Sequence, residues 1–253
     1  MIKDFFHLFS RKIRRLTLYR LGKPELTQID HRQFKFKYFV SDLIVRPTST
    51  FLIKYFAGNL GHEVDLSRGH LGFGMLHYAF ITTLRPKRIL CIGSQKGFIP
   101  AICAMACKDN NFGRVDFVDA GKDKNDPNSW GGIGFWKKFN PNEHFSPFNL
   151  NKFITTYVMT SAEFAAKYKN RCYGYIYIDG DHSFSGVSRD YSTFWPRLKR
   201  DGMMCFHDIT LKGKAGNGEY GVWKLWKQLE TKHNHKISII LRQNGIGILQ
   251  KND

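Results

Sequence analysis

Acidic residues are scarce in this sequence of 253 residues. Lys and Arg together number 39, whereas Asp and Glu number only 21, which leaves a formal net charge of +18 with the histidines neutral. A field of that size favours anionic partners, such as nucleic acid, an anionic membrane face or an acidic glycan. The charge alone does not distinguish among these three classes of partner.

Cysteine is also sparse, and its number, five, is odd. Only Cys172 lies outside an apolar stretch, whereas a disulfide framework needs paired thiols in a small, loop-rich chain. Cys103 and Cys107 have one helical turn between them, but no second Cys or His pair follows at zinc-finger spacing. We therefore expect reduced, buried thiols and a cytoplasmic protein.

Long hydrophobic runs are missing as well, and no apolar run reaches the ~18 residues that a membrane span needs. The N-terminus, MIKDFFHLFSRKIRRLTLYRLGK, is not a secretory signal, because Lys and Arg interrupt its apolar residues. Its spacing predicts an amphipathic helix within residues 1–23. Two interpretations stay open: this helix docks on its own domain, or it rests on the anionic inner face of a membrane.

Apolar segments and helical patterns alternate from residue 87 onward. The segments lack polar alternation, as expected of strands that are covered on both faces; they are 87–93, 114–121, 152–159, 173–179 and 202–208. Short joins to the intervening helices predict an α/β fold with a doubly wound, mostly parallel sheet. Asn244-Gly245 predicts an antiparallel hairpin that closes the chain.

The same pattern predicts two parts, a helical N-terminal extension (1–65) and one α/β domain (66–253). A long connection, residues 121–151, interrupts the domain. Connections of this length are usually functional lids or disordered insertions, but its aromatic residues argue against simple disorder. For Trp130 and Trp136, packing in the core and stacking on a ligand are equally open.

Polar residues stand at the carboxyl ends of four predicted strands, which is the edge where open α/β sheets bind ligands. They are Gly93-Ser94-Gln95-Lys96-Gly97, Asp119, Asp179-Gly180-Asp181-His182 and His207-Asp208. Taken singly, the acids could cap helices and His182 could be a hydrogen-bonded turn residue. The glycine turn has neither the Gly-Lys-Ser/Thr ending of a phosphate loop nor the G-x-G-x-x-G of a dinucleotide site. Their convergence at one edge is what points to a functional site.

With these residues on one edge, the chain from about Arg88 onward resembles the class I S-adenosylmethionine-dependent methyltransferases. The resemblance implies a Rossmann-like sheet of seven strands. It also implies that Gly93 to Gly97 pass under the methionine part of the cofactor, that Asp119 binds the ribose and that Ser161 contacts the adenine, with Asp179 beside the cofactor. Cys91 departs from the pattern, since the family commonly has an acidic residue there.

The segment YIDGDHSFSGVSRDYSTFWPRLKRDGMMCFHDI (177–209) is similar to metal-dependent O-methyltransferases that act on sugar hydroxyls. This resemblance implies that Asp179, His207 and Asp208 hold a divalent metal, Mg²⁺ by expectation, and that His182 takes the proton of the acceptor. Because Mg²⁺ prefers oxygen ligands, Asp181 or water is an alternative to His207.

The leading hypothesis is a cytoplasmic O-methyltransferase that acts on a hydroxyl of a sugar or glycoconjugate, with an anionic acceptor to match the positive charge. An RNA methyltransferase is a second hypothesis, suggested by the charge alone, since we find no amide-methylating motif or RNA-binding module. The third is a non-catalytic module of the same fold, tethered to a membrane through residues 1–23. Assembly of the chain with itself is compatible with all three.

Overall fold

The structure, a computed structural model of the chain, describes residues 46–57, 61–123, 125–126, 130, 132–215, 218–241 and 244–252. The helix predicted within residues 1–23 lies outside this set. Helices and strands are numbered within the described residues. In chain order they are α1 (Arg46–Phe56), α2 (Phe73–Leu84), β1 (Arg88–Gly93), α3 (Phe98–Asp109), β2 (Arg114–Asp119), α4 (Phe135–Lys138), α5 (Pro141–His144), a 3₁₀ helix (Pro147–Lys152), β3 (Ile154–Val158), α6 (Ser161–Lys167), β4 (Tyr173–Asp179), α7 (Phe184–Phe194), a 3₁₀ turn (Trp195–Arg197), β5 (Leu198–His207), β6 (Lys214–Ala215), β7 (Gly218–Glu219), α8 (Val222–Lys232), β8 (Lys236–Leu241) and β9 (Asn244–Gln250).

The central sheet has seven strands in the order β3-β2-β1-β4-β5-β9-β8. Neighbours among β3, β2, β1, β4 and β5 are parallel, whereas β9 runs antiparallel to both β5 and β8. The predicted α/β fold, with its mostly parallel sheet and closing hairpin, is therefore confirmed. The register sets Gly93 of β1 opposite Asp179 of β4 and Asp119 of β2 opposite Val158 of β3. The carboxyl ends of the strands thus meet at one edge.

Helices cover both faces of the sheet, which explains the uniformly apolar strands. On one face α1, α2 and α3 pack over residues such as Cys91 and Tyr177, and on the other face α6, α7 and α8 pack over residues such as Ile178 and Phe206. A Cβ on residue 247 would lie 2.5 Å from the ring of Trp226 in α8. Because that distance is too short, β9 needs glycine at this position. Of the five cysteines, only Cys172 is exposed, and none forms a disulfide.

The second half of the 121–151 connection belongs to the core. Trp136, Phe145 and Leu150 are buried and pack in the same cluster as α3. Trp136 donates from Nε1 to the carbonyl oxygen of Gln95 at 2.7 Å, and His144 Nε2 bonds to the carbonyl oxygen of Lys96 at 2.8 Å. For Trp136, core packing is therefore the observed arrangement, and this part of the connection supports the glycine turn from outside.

Helix α1 contributes Leu52 and Phe56 to the core beneath α3. Val64, which precedes α2, is buried in the same cluster. The division between residues 65 and 66 stays a prediction, because residues on both sides of it share one core. In the part of the chain that the structure describes, no helix combines the length and apolar character that crossing a membrane requires.

Two phenylalanines of the connection give a direct test of its role. Phe145 is 1% exposed, whereas Phe139 is 52% exposed. We expect Phe145→Ala to lower the free energy of unfolding by about 3–5 kcal/mol, because it leaves a cavity in the core, and Phe139→Ala to cost less than about 1 kcal/mol. Urea denaturation of both variants measures the difference. Similar losses in the two variants would show that the connection does not pack as described.

Candidate active site

The turn after β1 depends on the absence of a side chain at Gly93. A Cβ there would lie 2.1 Å from the carbonyl oxygen of Asp179, so only glycine lets the ends of β1 and β4 approach this closely. Gly93 has φ 73°, and the two residues after it, Ser94 and Gln95, also have positive φ values of 133° and 45°. Non-glycine residues adopt such conformations at a cost and are concentrated at functional sites.

A cavity of about 880 Å³ opens beside this turn, at the carboxyl ends of the strands. The residues predicted for the site that line it are Gly93, Ser94, Gln95, Asp119, Ser161, Asp179, Asp181, His182, His207 and Asp208. Lys96 and Gly97 are not among the lining residues. A Cβ at Gly97 would meet the Phe145 ring at 2.6 Å, so that glycine serves the packing of the connection. Cys91 is fully buried in the core.

Asp179, His182 and Asp208 come together at one wall of the cavity. His182 lies between the two carboxylates, with Nε2 3.3 Å from Asp179 Oδ1 and Nδ1 3.1 Å from Asp208 Oδ2. His207 joins them through Nδ1, which is 3.1 Å from Asp179 Oδ1 and 3.2 Å from Asp208 Oδ1. All four side chains are at most 11% exposed. The sequence had predicted this group as the centre of the site.

None of these carboxylates caps the helix that follows. The N-cap of α7 is Ser183, whose hydroxyl accepts from the backbone N–H of Gly186 at 3.0 Å. Asp181 accepts from the N–H of Ser183 at 3.0 Å and approaches Arg189 to 3.7 Å, so it serves the turn. Asp179 therefore does not cap α7, and its carboxylate contacts His182 and His207. Asp208 adopts φ 59°, which places a second strained residue at the same site.

His62 is a member of this group that the sequence analysis missed. It lies between α1 and α2, and its Nε2 is 3.9 Å from Asp179 Oδ2. Its ring centroid is 4.6 Å from that of His207. Among the described residues, ligand atoms of His62, Asp179 and His207 come within 4.8 Å of one another, as a metal site requires. Nothing in the local pattern GHEVD (61–65) indicated this, because only the packing of α1 and α2 brings His62 to the strand ends.

The charges of the group are set by burial and by one another. Burial would raise the pKa of Asp179, but His207 and His182 outweigh it and hold that pKa well below its usual value. Burial lowers the pKa of His62 to about 4, with the neighbouring His207 acting in the same direction. For His182, burial is outweighed by the neighbouring carboxylates of Asp179 and Asp208, which raise its pKa to about 10. The carboxylate of Asp179 is therefore ionised at neutral pH and His62 is neutral.

Several buried polar atoms of the group have no hydrogen-bond partner. They are His62 Nδ1, His182 Nδ1, His207 Nδ1 and Asp208 Oδ1. The two Nδ1 atoms of His182 and His207 lie 3.1 to 3.2 Å from carboxylate oxygens, and Asp208 Oδ1 lies 3.2 Å from a histidine nitrogen. In none of these contacts does the angle suit a hydrogen bond. Buried polar groups are normally paired. The unpartnered atoms of His182, His207 and Asp208, which lie beside Asp179, are what a cation or a polar ligand would satisfy.

The opposite side of the cavity carries Asp119, Ser161 and Asp190. Asp119 accepts from the backbone N–H of Gly121 at 2.8 Å, and burial raises the pKa of its carboxyl group to about 6. Ser161 begins α6 and donates its hydroxyl to Asp190 Oδ1 at 2.5 Å. Burial likewise raises the pKa of Asp190 to about 6, partly offset by the hydrogen bond from Ser161.

Trp130 and Tyr220 form an aromatic wall over His182. The indole of Trp130 stacks on the imidazole with centroids 4.5 Å apart and planes 12° apart. Tyr220 meets Trp130 edge-on at 4.7 Å. The carbonyl oxygen of His182 accepts from the N–H of Gly221 at 2.8 Å, which ties this wall to the start of α8. Trp130 therefore lies over His182, whereas Trp136 lines the cavity from its place in the core.

With this geometry established, residues 90–209 match the family model described as a methyltransferase domain. Over this segment, 120 of its 253 residues, the chain is similar to methyltransferases. The matched residues run from β1 to just past β5, so they contain the glycine turn and the Asp179 to Asp208 group. His62 lies ahead of the matched domain.

Two solved structures share the fold of this chain. A candidate O-methyltransferase from Klebsiella pneumoniae is 13% identical, with a TM-score of 0.58 over 86% of this chain and 96% of that chain. The O-methyltransferase TomG from Streptomyces achromogenes, which is involved in tomaymycin synthesis and was solved in complex with S-adenosylmethionine, is 12% identical. Its TM-score is 0.55 over 82% of this chain and 89% of that chain. Identities this low establish the fold alone.

One curated relative matches the chain at the level of sequence. It is the uncharacterized protein y4gI of Sinorhizobium fredii (strain NBRC 101917 / NGR234), 23% identical over 171 residues. The alignment covers 66% of this chain but only 17% of the relative, so the chain spans about a sixth of that protein's length.

The raised pKa of Asp190 predicts how stability changes with pH. Its folded pKa of about 6 lies above the usual value of 3.8, so its contribution to stability is present below pH 3.8 and is lost as pH rises through 6. The Asn side chain of the Asp190→Asn variant does not ionise, so this variant does not lose stability as the pH rises. From about pH 4 to pH 8, the stability of the variant relative to wild type should rise by up to about 3 kcal/mol.

Urea denaturation at a series of pH values measures this difference. The exposed Asp201→Asn is the matched control for the loss of one negative charge. A constant difference between Asp190→Asn and wild type across this range would contradict the burial of an ionisable Asp190.

Proposed function

We propose that this chain is a methyltransferase that transfers a methyl group from S-adenosylmethionine to a hydroxyl group of a sugar or glycoconjugate. The observation that carries the proposal is the position of His182 between Asp179 and Asp208, at the wall of a cavity that begins at the Gly93 turn. A base, two carboxylates and a cofactor-sized space are the parts that transfer to a hydroxyl needs.

The cavity fits the cofactor in two respects. Gly93, Ser94 and Gln95 line it, and the lack of a side chain at residue 93 lets a ligand approach the backbone of this turn. The hydroxyl of Ser94 is buried at the same turn and has no hydrogen-bond partner among the described residues, which leaves it to a ligand. When bound, S-adenosylmethionine supplies a sulfonium methyl group whose leaving group departs neutral.

The residues around the cofactor have separate tasks in this proposal. Asp119 accepts hydrogen bonds from the ribose hydroxyls, since it stands at the end of β2 and its carboxylate lines the cavity. Ser161, held by Asp190, faces the adenine at the start of α6. Gly93, Ser94 and Gln95 pass beneath the methionine part. The reacting methyl then points towards His182.

His182 takes the proton of the acceptor hydroxyl in this proposal, which requires that a cation bound beside Asp179 and Asp208 offset the raised pKa that otherwise keeps the ring protonated. An alcohol is a poor nucleophile at neutral pH because it holds its proton tightly, so a base within hydrogen-bond reach is needed. Asp208 lies against Nδ1 and fixes the orientation of the ring, while Nε2, beside Asp179, receives the proton. The stacked Trp130 holds the same ring from its face and keeps water away from it.

The donor set of Asp179, His207 and Asp208 fits a divalent ion, as the unpartnered His207 Nδ1 and Asp208 Oδ1 indicate. Such an ion supplies positive charge that lowers the pKa of a coordinated hydroxyl, to about 7 for water in favourable cases, and opposes the effect of the carboxylates on His182. Mg²⁺ was the expectation from sequence, but imidazole ligands favour other metals.

The sugar part of the proposal is supported by the aromatic wall and by the charge. The faces of Trp130 and Tyr220 offer the apolar contact on which sugar rings stack. Lys122 and Arg189 also line the cavity, and the net charge of +18 favours an anionic acceptor. Contact of residues 1–23 with an anionic membrane would bring the enzyme to glycoconjugates at that surface.

Loss of His182 or Asp208 should separate catalysis from cofactor binding. We expect His182→Ala, Asp208→Ala and Asp179→Ala to lower turnover by about 100-fold or more, because each removes the base or its orienting charge. Stabilisation by S-adenosylhomocysteine in thermal unfolding should persist, since the cofactor turn is unchanged. The control is His235→Ala, an exposed histidine far along the chain in the loop before β8.

The assay follows S-adenosylhomocysteine release with a panel of acceptors that includes catechol, neutral hexoses, uronic acids and phosphorylated sugars. Mass spectrometry then locates the methyl group on the product. A methyl group on nitrogen or carbon, or full turnover by His182→Ala, would refute transfer to a hydroxyl through this base.

The raised pKa of Asp119 predicts that the affinity for the cofactor depends on pH. The ionised carboxylate accepts ribose hydroxyls, and its pKa is about 6 because burial raises it. Affinity should therefore be full above about pH 7 and fall as pH drops below 6. Asp119→Asn should bind roughly tenfold more weakly at neutral pH and show no such fall. Calorimetry with S-adenosylhomocysteine between about pH 5 and pH 8 measures both effects; identical pH profiles for the two proteins would remove Asp119 from the ribose site.

A further inference from the structure

We infer that His62, which precedes the matched domain, is a metal ligand, and that it forms with His207 and Asp179 a site for a first-row transition-metal ion. The inference rests on the metal-assisted transfer proposed above and deepens it. It replaces two parts of the sequence expectation: the ion is not Mg²⁺, and His62, from outside residues 90–209, takes the place of Asp208 among the ligands.

The positions of the three side chains carry the first step. Ligand atoms from His62, His207 and Asp179 all lie within 4.8 Å of one another, and no member of the set is more than 9% exposed in its side chain. Ligands at 2.0 to 2.2 Å from one ion stand about 3 to 4 Å apart. A shift of less than about 1 Å would thus close the three around an ion.

The orientation of His207 carries the second step. Its Nε2 lies 3.1 Å from the carbonyl oxygen of Gly61, which can only accept, so Nε2 holds a proton. Metal-bound histidines are commonly oriented by such a bond from the other ring nitrogen. The amide of Asn244 donates to the same oxygen, which keeps Gly61, and with it His62, in place.

The remaining nitrogen of His207 carries the third step. With Nε2 protonated, Nδ1 of a neutral ring directs its lone pair at Asp179 Oδ1 and Asp208 Oδ1, 3.1 and 3.2 Å away. Lone pairs do not attract one another, so positive charge belongs between them, either a proton or a metal ion. Because His207 Nδ1 makes no hydrogen bond at these distances, a metal ion between these atoms would satisfy them.

The donor set decides the class of metal. Two imidazoles and one carboxylate suit Fe²⁺, Co²⁺, Ni²⁺ or Zn²⁺, whereas Mg²⁺ prefers an octahedron of oxygens. Three protein ligands leave positions open to the cavity for an acceptor oxygen. Asp208 is not part of the triad, and it stays with His182 as the partner of the base.

The test measures metal binding by the full chain, without an assay of activity. Calorimetry with Co²⁺ and with Mg²⁺, together with the visible spectrum of bound Co²⁺, is carried out on wild type, His62→Ala and His62→Gln. We expect one Co²⁺ per chain, bound at least about 100-fold more tightly than Mg²⁺, and a loss of more than about tenfold in Co²⁺ affinity in both variants. His235→Ala is the matched histidine control and should bind like wild type.

Binding of S-adenosylhomocysteine by each protein separates the two proposals and shows that the variants fold. Equal Co²⁺ affinity in wild type and in a folded His62 variant, or tighter binding of Mg²⁺ than of Co²⁺, would overturn the role of His62. The absence of any Co²⁺ binding by a wild-type protein that binds S-adenosylhomocysteine would overturn the metal site and leave methyl transfer standing. Co²⁺ binding without S-adenosylhomocysteine binding would leave the metal site and overturn the proposed function.

Discussion

The close approach of Gly93 to the backbone of Asp179 is the constraint on which the site depends. A Cβ at residue 93 would collide with the carbonyl of residue 179, so the ends of β1 and β4 can meet only because glycine is there. Through this contact the cofactor turn and the carboxylate group become parts of one cavity. Ser94, the residue after Gly93, and Asp208, at the end of the neighbouring strand, both adopt positive φ values. The backbone is therefore strained close to this contact.

Two segments outside the central sheet hold this arrangement from two directions. Trp136 and His144, from the long connection, bond to the carbonyl oxygens of Gln95 and Lys96 and so keep the turn in its strained form. From the other side, the segment before α2 brings His62 against Asp179 and His207. The ends of β4 and β5 supply the histidine and the carboxylates of the proposed site, and these two segments support them from either side.

The sequence predicted the parts of the site that follow from the geometry of a parallel sheet. Asp179, His182, His207 and Asp208 follow two adjacent strands, and such strands end at the same edge, so their meeting was predictable. His62 was not, because no periodicity relates the GHEVD segment to a sheet that forms later in the chain. Lys96 and Gly97 illustrate a second limit: a loop can be placed from its glycines, but which of its residues face the cavity depends on a partner such as Phe145. The small β6–β7 hairpin also escaped prediction, since strands of two residues leave no pattern.

The stacking of Trp130 on His182 has a consequence for selectivity. The indole lies parallel to the imidazole and covers one of its faces, and Tyr220 closes the edge beside it. If the proposed sugar acceptor enters the cavity, its hydroxyl would have to reach the ring nitrogen in the plane of the imidazole, along the edge that Trp130 and Tyr220 leave open. Hydroxyls that are chemically alike but differ in axial or equatorial direction would not reach the nitrogen equally well. Regiochemistry in this enzyme would then be decided by an aromatic shield, without a separate hydrogen bond to each hydroxyl of the acceptor.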